Sequence, residues 1–539
     1  MADHKPRAGV VLVAMTLANA MILVDQTAVP LALPDMMETF ETGAKQVQWV
    51  LTCSLLPLAG LLVFSGRLGD LIGLRKVFIA GTSLFITSSV IAGLAPSLGV
   101  LLAARVGQGV GGALLLPISV AIVSSVYPAS DRGRALGTMG GAAAVFAALG
   151  PTIGGLLTSA FSWRAVLLIN VPIALFAIFL ALREVPDDEP SEKDGKVDTL
   201  GTALLAAVLV GLVFGLSQSQ VWGWGSPGVF GPLVGSVVAL LLFVVHERSH
   251  PDPLVDFGLL KERNYLGASI SQLLSGMAEI GLGVIFPLLL ILNLEMDPAL
   301  AGLALIPTTL PMIAIAPLAG RWYDKVGGRA PLVVGFILLA ASGVALAIGV
   351  DSGDYVHLLP GFLLYGIGLA LVLTVNDPVT LDQIPERDHG QAAGVSATAE
   401  QFGGALGIAV LYSIFHGEYI SRLEDRVDAS SLPDLNDASG AQLRGAIEAA
   451  ESTGLNPSTF DPDVRKYLDI AEGAASHGYT VTFISVAVIA TVAAGLVYWL
   501  VRKPEDDPEA EEEDEAMEEP EDEPTFDPAS PDAEPKGAA

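Results

Sequence analysis

GRLGDLIGLRK, residues 66–76, is a charged and glycine-punctuated gap between two long apolar runs. The chain writes it a second time, as GRWYDKVGGRA at residues 320–330. Gly66, Arg67, Asp70, Gly73 and Arg75 match Gly320, Arg321, Asp324, Gly327 and Arg329 at one constant offset of 254 residues. Five matches in register over that separation point to two homologous halves, each needing the same loop. Glycines permit a tight turn and close helix approach, while Asp and Arg can pair with neighbouring helix ends and hold one face shut. These positions are candidate gate residues.

The solvent around the two loops is oil. Hydrophobic residues make up 52 % of the 539 and charged residues only 16 %, a balance that does not suit a globular surface. A bilayer core needs about 20 apolar residues per helix. That ruler predicts fourteen spans, near 9–30, 48–66, 76–95, 99–123, 136–160, 165–182, 199–217, 229–246, 266–292, 301–320, 331–350, 357–376, 392–415 and 479–501. The first loop then follows span 2 and the second follows span 10. Each half has six spans, with spans 7 and 8 inserted between them, so the expected class is an all-α polytopic membrane protein arranged 6+2+6. The expected units are residues 1–182, 183–265 and 266–502, the last with a long outer loop at 417–478, followed by a tail at 503–539. Most Lys and Arg residues fall on the side of the repeated loops, which predicts that side, with both termini, to be cytoplasmic. The six tryptophans lie at or near predicted span ends, where an amphipathic indole prefers to sit.

The net charge of −30 is concentrated. Residues 503–539 are rich in Glu, Asp and Pro and offer almost nothing to bury, so this stretch reads as disordered. An acidic chain is not expected to bind nucleic acid. The single cysteine, Cys53, excludes a disulfide framework. Catalytic signatures such as a phosphate-binding loop are not read in the chain, and the seven histidines are read as lacking ligand spacing. Neither an enzyme nor a metal site is expected.

Four ionisable residues fall inside predicted spans: Asp25, Arg105, Glu279 and Glu400. A charge at that depth is expensive unless it faces a cavity or a partner, so each is a functional candidate. Asp25 and Glu279 are separated by the same 254 residues as the loops. They are therefore expected at equivalent places of the two first helices, facing each other across the centre and sharing the work of taking up a proton and meeting a cation. Arg105 either pairs with Asp25 or snorkels outward. Glu400 is either a further cation contact or part of the small-residue packing run AEQFGGALG. Met15, Met21 and Phe286 either line an adaptable pocket or pack.

At these residues the chain resembles the major facilitator superfamily, and within it the fourteen-span drug:proton antiporter branch. GRLGDLIGLRK looks like that family's motif A, and LAARVGQGVGGA, with Arg105, Gln108, Gly109, Gly111 and Ala113, resembles motif B. GPTIGG, with Gly150, Pro151, Gly154 and Gly155, resembles motif C, which marks exporters; Phe146 stands where that motif has a glycine. LVDQTAVPLALP, residues 23–34, is similar to the branch's first-span motif, departing from it at Ala28 to Pro30. The resemblance implies a monomeric, proton-driven exporter of amphiphilic or cationic drugs in a prokaryotic cell membrane, working by alternating access without a cofactor. Export of an endogenous lipid, peptide or metabolite is the alternative. Pro151 is expected to kink its helix, and the glycines to let it slide as the halves rock.

Overall fold

The computed structural model describes residues 7–186, 198–250, 253–255, 257–381, 384, 389–428 and 462–502. The expected disordered tail at 503–539 and the middle of the expected outer loop lie outside the described residues, as do the side chains of Arg67 and Asp70. No strand occurs among the described residues. In a solvent that cannot bond to the backbone, each apolar run must close its own hydrogen bonds, and the helix does so.

The first half contains α1 (Ala8–Phe40), α2 (Trp49–Ile72), α3 (Leu74–Gly93), α4 (Leu98–Val126), α5 (Ala129–Ala160) and α6 (Asn170–Glu184). Two further helices, α7 (Thr199–Trp222) and α8 (Pro227–Ser249), follow as a hairpin. The second half contains α9 (Arg263–Leu288), α10 (Ile306–Val326), α11 (Arg329–Val350), α12 (Tyr355–Leu381), α13 (His389–Asp428) and α14 (Pro462–Leu500). Among the described residues, eleven segments are long and apolar enough to cross a membrane, or twelve when the two arms of α5 count as one. The predicted spans 48–66 and 392–415 fall on α2 and α13, which are helical but lie outside those eleven or twelve.

The halves repeat one packing scheme. In the first, α1 packs on α5, α2 on α4, and α3 on α4. In the second, α9 packs on α13, α10 on α12, and α11 on α12. Across the seam, α2 meets α13, while α5 meets α10 and the short helix Pro298–Ala304 that precedes it. The α7–α8 hairpin lies over the first of these seams, with α7 against both α2 and α13. Asp198 caps α7 by accepting the Gly201 N–H at 2.8 Å. Burial alone would raise the Asp198 carboxyl, but that bond and the His246 ring outweigh it and hold it below the ordinary carboxylate range.

The repeated loop has a backbone reason for its glycines. Gly73 ends α2 at φ 105° and Gly327 ends α10 at φ 72°, both in territory that side chains avoid. Just after each turn, the repeated arginine reaches the last helix of its own half. Arg75 donates to the Leu182 carbonyl of α6 at 2.7 Å, and Arg329 lies 3.9 Å over the Tyr498 ring of α14. Two of the four arginines expected at the gate, Arg75 and Arg329, thus make contacts within their own halves. Arg321 and Asp324 are exposed, and no ion pair joins either to a described residue.

Gly327→Ala should destabilise the protein by about 1–3 kcal/mol, because alanine cannot adopt that φ without strain. Thermal unfolding in detergent measures this. Gly320→Ala, where an added methyl meets open space inside α10, should leave the midpoint unchanged or raise it.

Candidate functional site

At mid-length of α1, Asp25 is 4 % exposed and fully engaged. Its Oδ2 accepts from Arg105 of α4 at 2.5 Å, and its Oδ1 from Asn170 at the start of α6 at 2.9 Å. Arg105 is sealed from solvent and spends its remaining donors on the Val50 carbonyl at 2.7 Å, Gln108 Oε1 at 2.9 Å and Ser54 Oγ at 2.8 Å. Gln108 passes the chain on to Ser89 Oγ at 2.8 Å. The arginine therefore pairs inward and does not snorkel. A guanidinium bonded at all three of its nitrogens meets the condition under which a buried charge pair is tolerated.

The second half treats its acids differently. On α9, Gln272, Gly276 and Glu279 are spaced i, i+4 and i+7 and share one face. That face lies on α13: Gly276 sits directly on the Glu400 backbone, and Gln272 Nε2 donates to Glu400 Oε2. Glu279 is half-buried, and its Oε2 is enclosed without a hydrogen-bond partner. Its electrostatic neighbour is Glu400, which in turn feels Asp377 near the loop end of α12. Among the described residues, neither Glu279 nor Glu400 has a lysine or arginine partner. The expected facing pair of Asp25 and Glu279 does not form, because Asp25 is taken up inside its own half. Sequence reading missed Asn170, Gln272 and Asp377. The signal for Gln272 was its helical spacing from Glu279, and Asp377 sat one residue beyond a predicted span.

The two sites meet near the seam. Gln26, beside Asp25, donates to Gln401, beside Glu400, at 2.9 Å. The other hydrogen bonds between described residues of the two halves lie at the end remote from the repeated loops. Ser159 Oγ donates to Asp297 Oδ1 at 2.7 Å and accepts the Ala299 N–H at 3.0 Å, and Thr152 donates to the Gly302 carbonyl at 3.3 Å. An apolar cluster at the same end joins Leu51 and Leu55 of α2 with Leu288 of α9 and Ile408 and Tyr412 of α13. Met15, Met21 and Phe286 are buried in core clusters, so packing is their role.

Backbone contact sets the geometry of α5. Gly150 lies on Thr27 and Gly154 on Ala28 of α1, while Gly155 lies on Pro298 of the opposite half. Pro151 cannot bond to the carbonyl four residues back, and α5 bends by 40° around Ala147–Leu149. The glycines recur at an offset of 253 residues: Gly403 lies on Leu273 and Gly407 on Met277, so α13 grips α9 as α5 grips α1. That second repeat was present in AEQFGGALG and went unread.

The Major Facilitator Superfamily profile matches residues 15–408. The chain belongs to that superfamily. It is a multi-span membrane transporter and not an enzyme. It is 31 % identical over 515 residues to the tetracenomycin C resistance and export protein of Streptomyces glaucescens, covering 94 % of each chain. It is 33 % identical to the puromycin resistance protein pur8 of Streptomyces alboniger, over 77 % of this chain and 83 % of that one. The multidrug efflux pump LfrA of Mycolicibacterium smegmatis is 29 % identical, over 91 % of this chain and 96 % of its own. Among solved structures, a bacterial homologue of the human lysosomal transporter Spinster superposes with a TM-score of 0.60 at 16 % identity, covering 93 % of this chain and 98 % of that one. That likeness concerns the fold.

Two substitutions test the geometry. Asp25→Asn should cost about 3 kcal/mol or more in unfolding free energy, since it leaves Arg105 buried without its counter-ion. The double variant Asp25→Leu with Arg105→Met should cost less than the two single changes together. Denaturation in detergent reads both. Gly155→Val should loosen the remote-end seam, because an added side chain meets the Pro298 carbonyl. The variant's thermal midpoint in detergent should fall with it.

Proposed function

We propose that this transporter exports amphiphilic or cationic small molecules in exchange for protons, with Glu279 and Glu400 as the exchanging carboxylates. The observation that carries the reading is the contrast between the halves. One buried acid is neutralised by arginine, whereas the other two interact with each other and lack a cation. Two like charges in one enclosed place are relieved by a proton or by a cationic substrate, which makes the two compete. Asp377 extends the acids toward the loop end, giving a route along which protons and cations exchange with water. Gln272 positions Glu400. The Asp25–Arg105 pair acts as a fixed clamp that braces α1 against α4 and α6.

The Lys and Arg bias supports an orientation with both termini and the repeated loops cytoplasmic; fourteen spans arranged 6+2+6, a prokaryotic cell membrane and a monomer complete the proposal. The sealed remote end is then the outer face, and the arrangement corresponds to an inward-facing state. Relatives named for antibiotic resistance, export and multidrug efflux support outward transport of such compounds. Rocking of the halves about the Gln26–Gln401 bond would open the Ser159–Asp297 seam and bring Arg321 and Asp324 to partners on the cytoplasmic side.

Glu400→Gln and Glu279→Gln should insert and fold but release at least tenfold fewer protons when substrate is added to purified protein, a loss of about 1.4 kcal/mol or more in coupling. The panel pairs cationic dyes with neutral amphiphiles, in inside-out vesicles with an imposed pH gradient. Wild-type exchange in both variants would remove these carboxylates from the mechanism.

A further inference from the structure

The transport reading leaves the α7–α8 hairpin without chemistry, yet polar groups converge at its end. His246, in the last turn of α8, and His250, the residue just past its end, bring two imidazole rings to 5.2 Å between centroids. The reading of the seven histidines passed over this pair. Asp198, at the start of α7, comes to meet them: its two carboxylate oxygens lie 2.9 and 2.8 Å from His246 Nε2. The ligand atoms of Asp198, His246 and His250 all lie within 4.8 Å of one another.

Glu247 supplies an independent indication. It is 2 % exposed; its Oε2 accepts the Val255 N–H at 3.1 Å, while its Oε1 is enclosed without a hydrogen-bond partner. A side chain at Gly201 would run into both Asp198 Oδ2 and Glu247 Oε1, so the two carboxylates flank one point. Enclosed carboxylates that face each other are relieved by a proton or a metal cation. The donor set selects its nature, since two imidazole nitrogens with carboxylate oxygens suit zinc and its neighbours, whereas calcium and magnesium prefer oxygen alone.

We propose that Asp198, His246 and His250 bind one divalent transition metal of the zinc class, with the Glu247 carboxylate set against Asp198 behind them. The ion joins the start of α7 to the end of α8. The Glu247 bond to Val255 also fixes the chain leading into the second half. The same histidine pairing serves hydrolysis in some zinc enzymes, but here the glutamate is held by backbone and the protein is a transporter, so the role is structural.

The test is titration of tag-free, full-length protein in detergent with Co²⁺, read by visible d–d absorption, followed by displacement with Zn²⁺. One ion per chain is expected, together with a rise in the thermal midpoint on adding Zn²⁺. Asp198→Asn keeps an oxygen to cap α7 while removing the anion, and His250→Ala alters only the end of α8. Each should weaken Co²⁺ binding at least about tenfold and abolish the Zn²⁺ stabilisation. His477→Ala, which removes a histidine paired with Glu418, should change neither reading. Absence of a Co²⁺ spectrum in wild type, or unaltered affinity in both site variants, would overturn the proposal.

Discussion

Lipid offers helices no reward for covering apolar surface, so the molecule is held together where backbones can touch. Glycine makes that possible in both halves: α5 lies on α1 through Gly150 and Gly154, and α13 lies on α9 through Gly403 and Gly407. The seam between the halves uses the same device at Gly155 and Pro298. A contact built from backbone and small side chains has few interlocking groups to disengage. It can hold tightly in one arrangement and still slide into another, as a transporter requires. The 40° bend at Pro151 aims one face of α5 at its own half and the other at its partner.

Onto this nearly symmetric frame the chain places an asymmetric set of charges. Symmetry of sequence puts Asp25 and Glu279 at matching positions, but only the first half supplies an arginine. Arg105 and Asn170 convert Asp25 into a brace, one partner on each oxygen, and its charge is already answered within the first half. Among the described residues, Glu279 and Glu400 meet no such cation. In the proposed mechanism the duplicated halves divide the labour, one anchoring and the other exchanging, with the Gln26–Gln401 bond as a direct polar link between the two acid sites.

The fold was legible because its signals are local. Apolar runs of spanning length, a glycine that must turn at positive φ, and an offset repeated across the chain are all written within short windows. The acids were legible as well, since a carboxylate in an apolar run stands out. Their roles were not, because role depends on who arrives from elsewhere. Arg105 comes from 80 residues away, Asn170 from 145, and Gln272 meets Glu400 across 128. The repeated arginines illustrate the same limit. A charge in a loop looks like a gate in sequence, yet Arg75 and Arg329 turn back to fasten the ends of α6 and α14.

The hairpin inserted between the halves carries that lesson further. Its helices are apolar enough to pass for filler, and α8 touches little besides α7. The seam it covers, between α2 and α13, is the one that must shift when the halves rock. An unrestrained hairpin at such a place would part from the bundle as easily as it follows it. Polar bonds at its open end, the Asp198–His246 contact and the Glu247 bond with Val255, fix α7 to α8 and α8 to the connecting chain. Its apolar flank against α2 and α13 is left free to adjust. Rigidity at one end and a yielding face along the seam are what allow an added pair of helices to ride on a moving interface without blocking it.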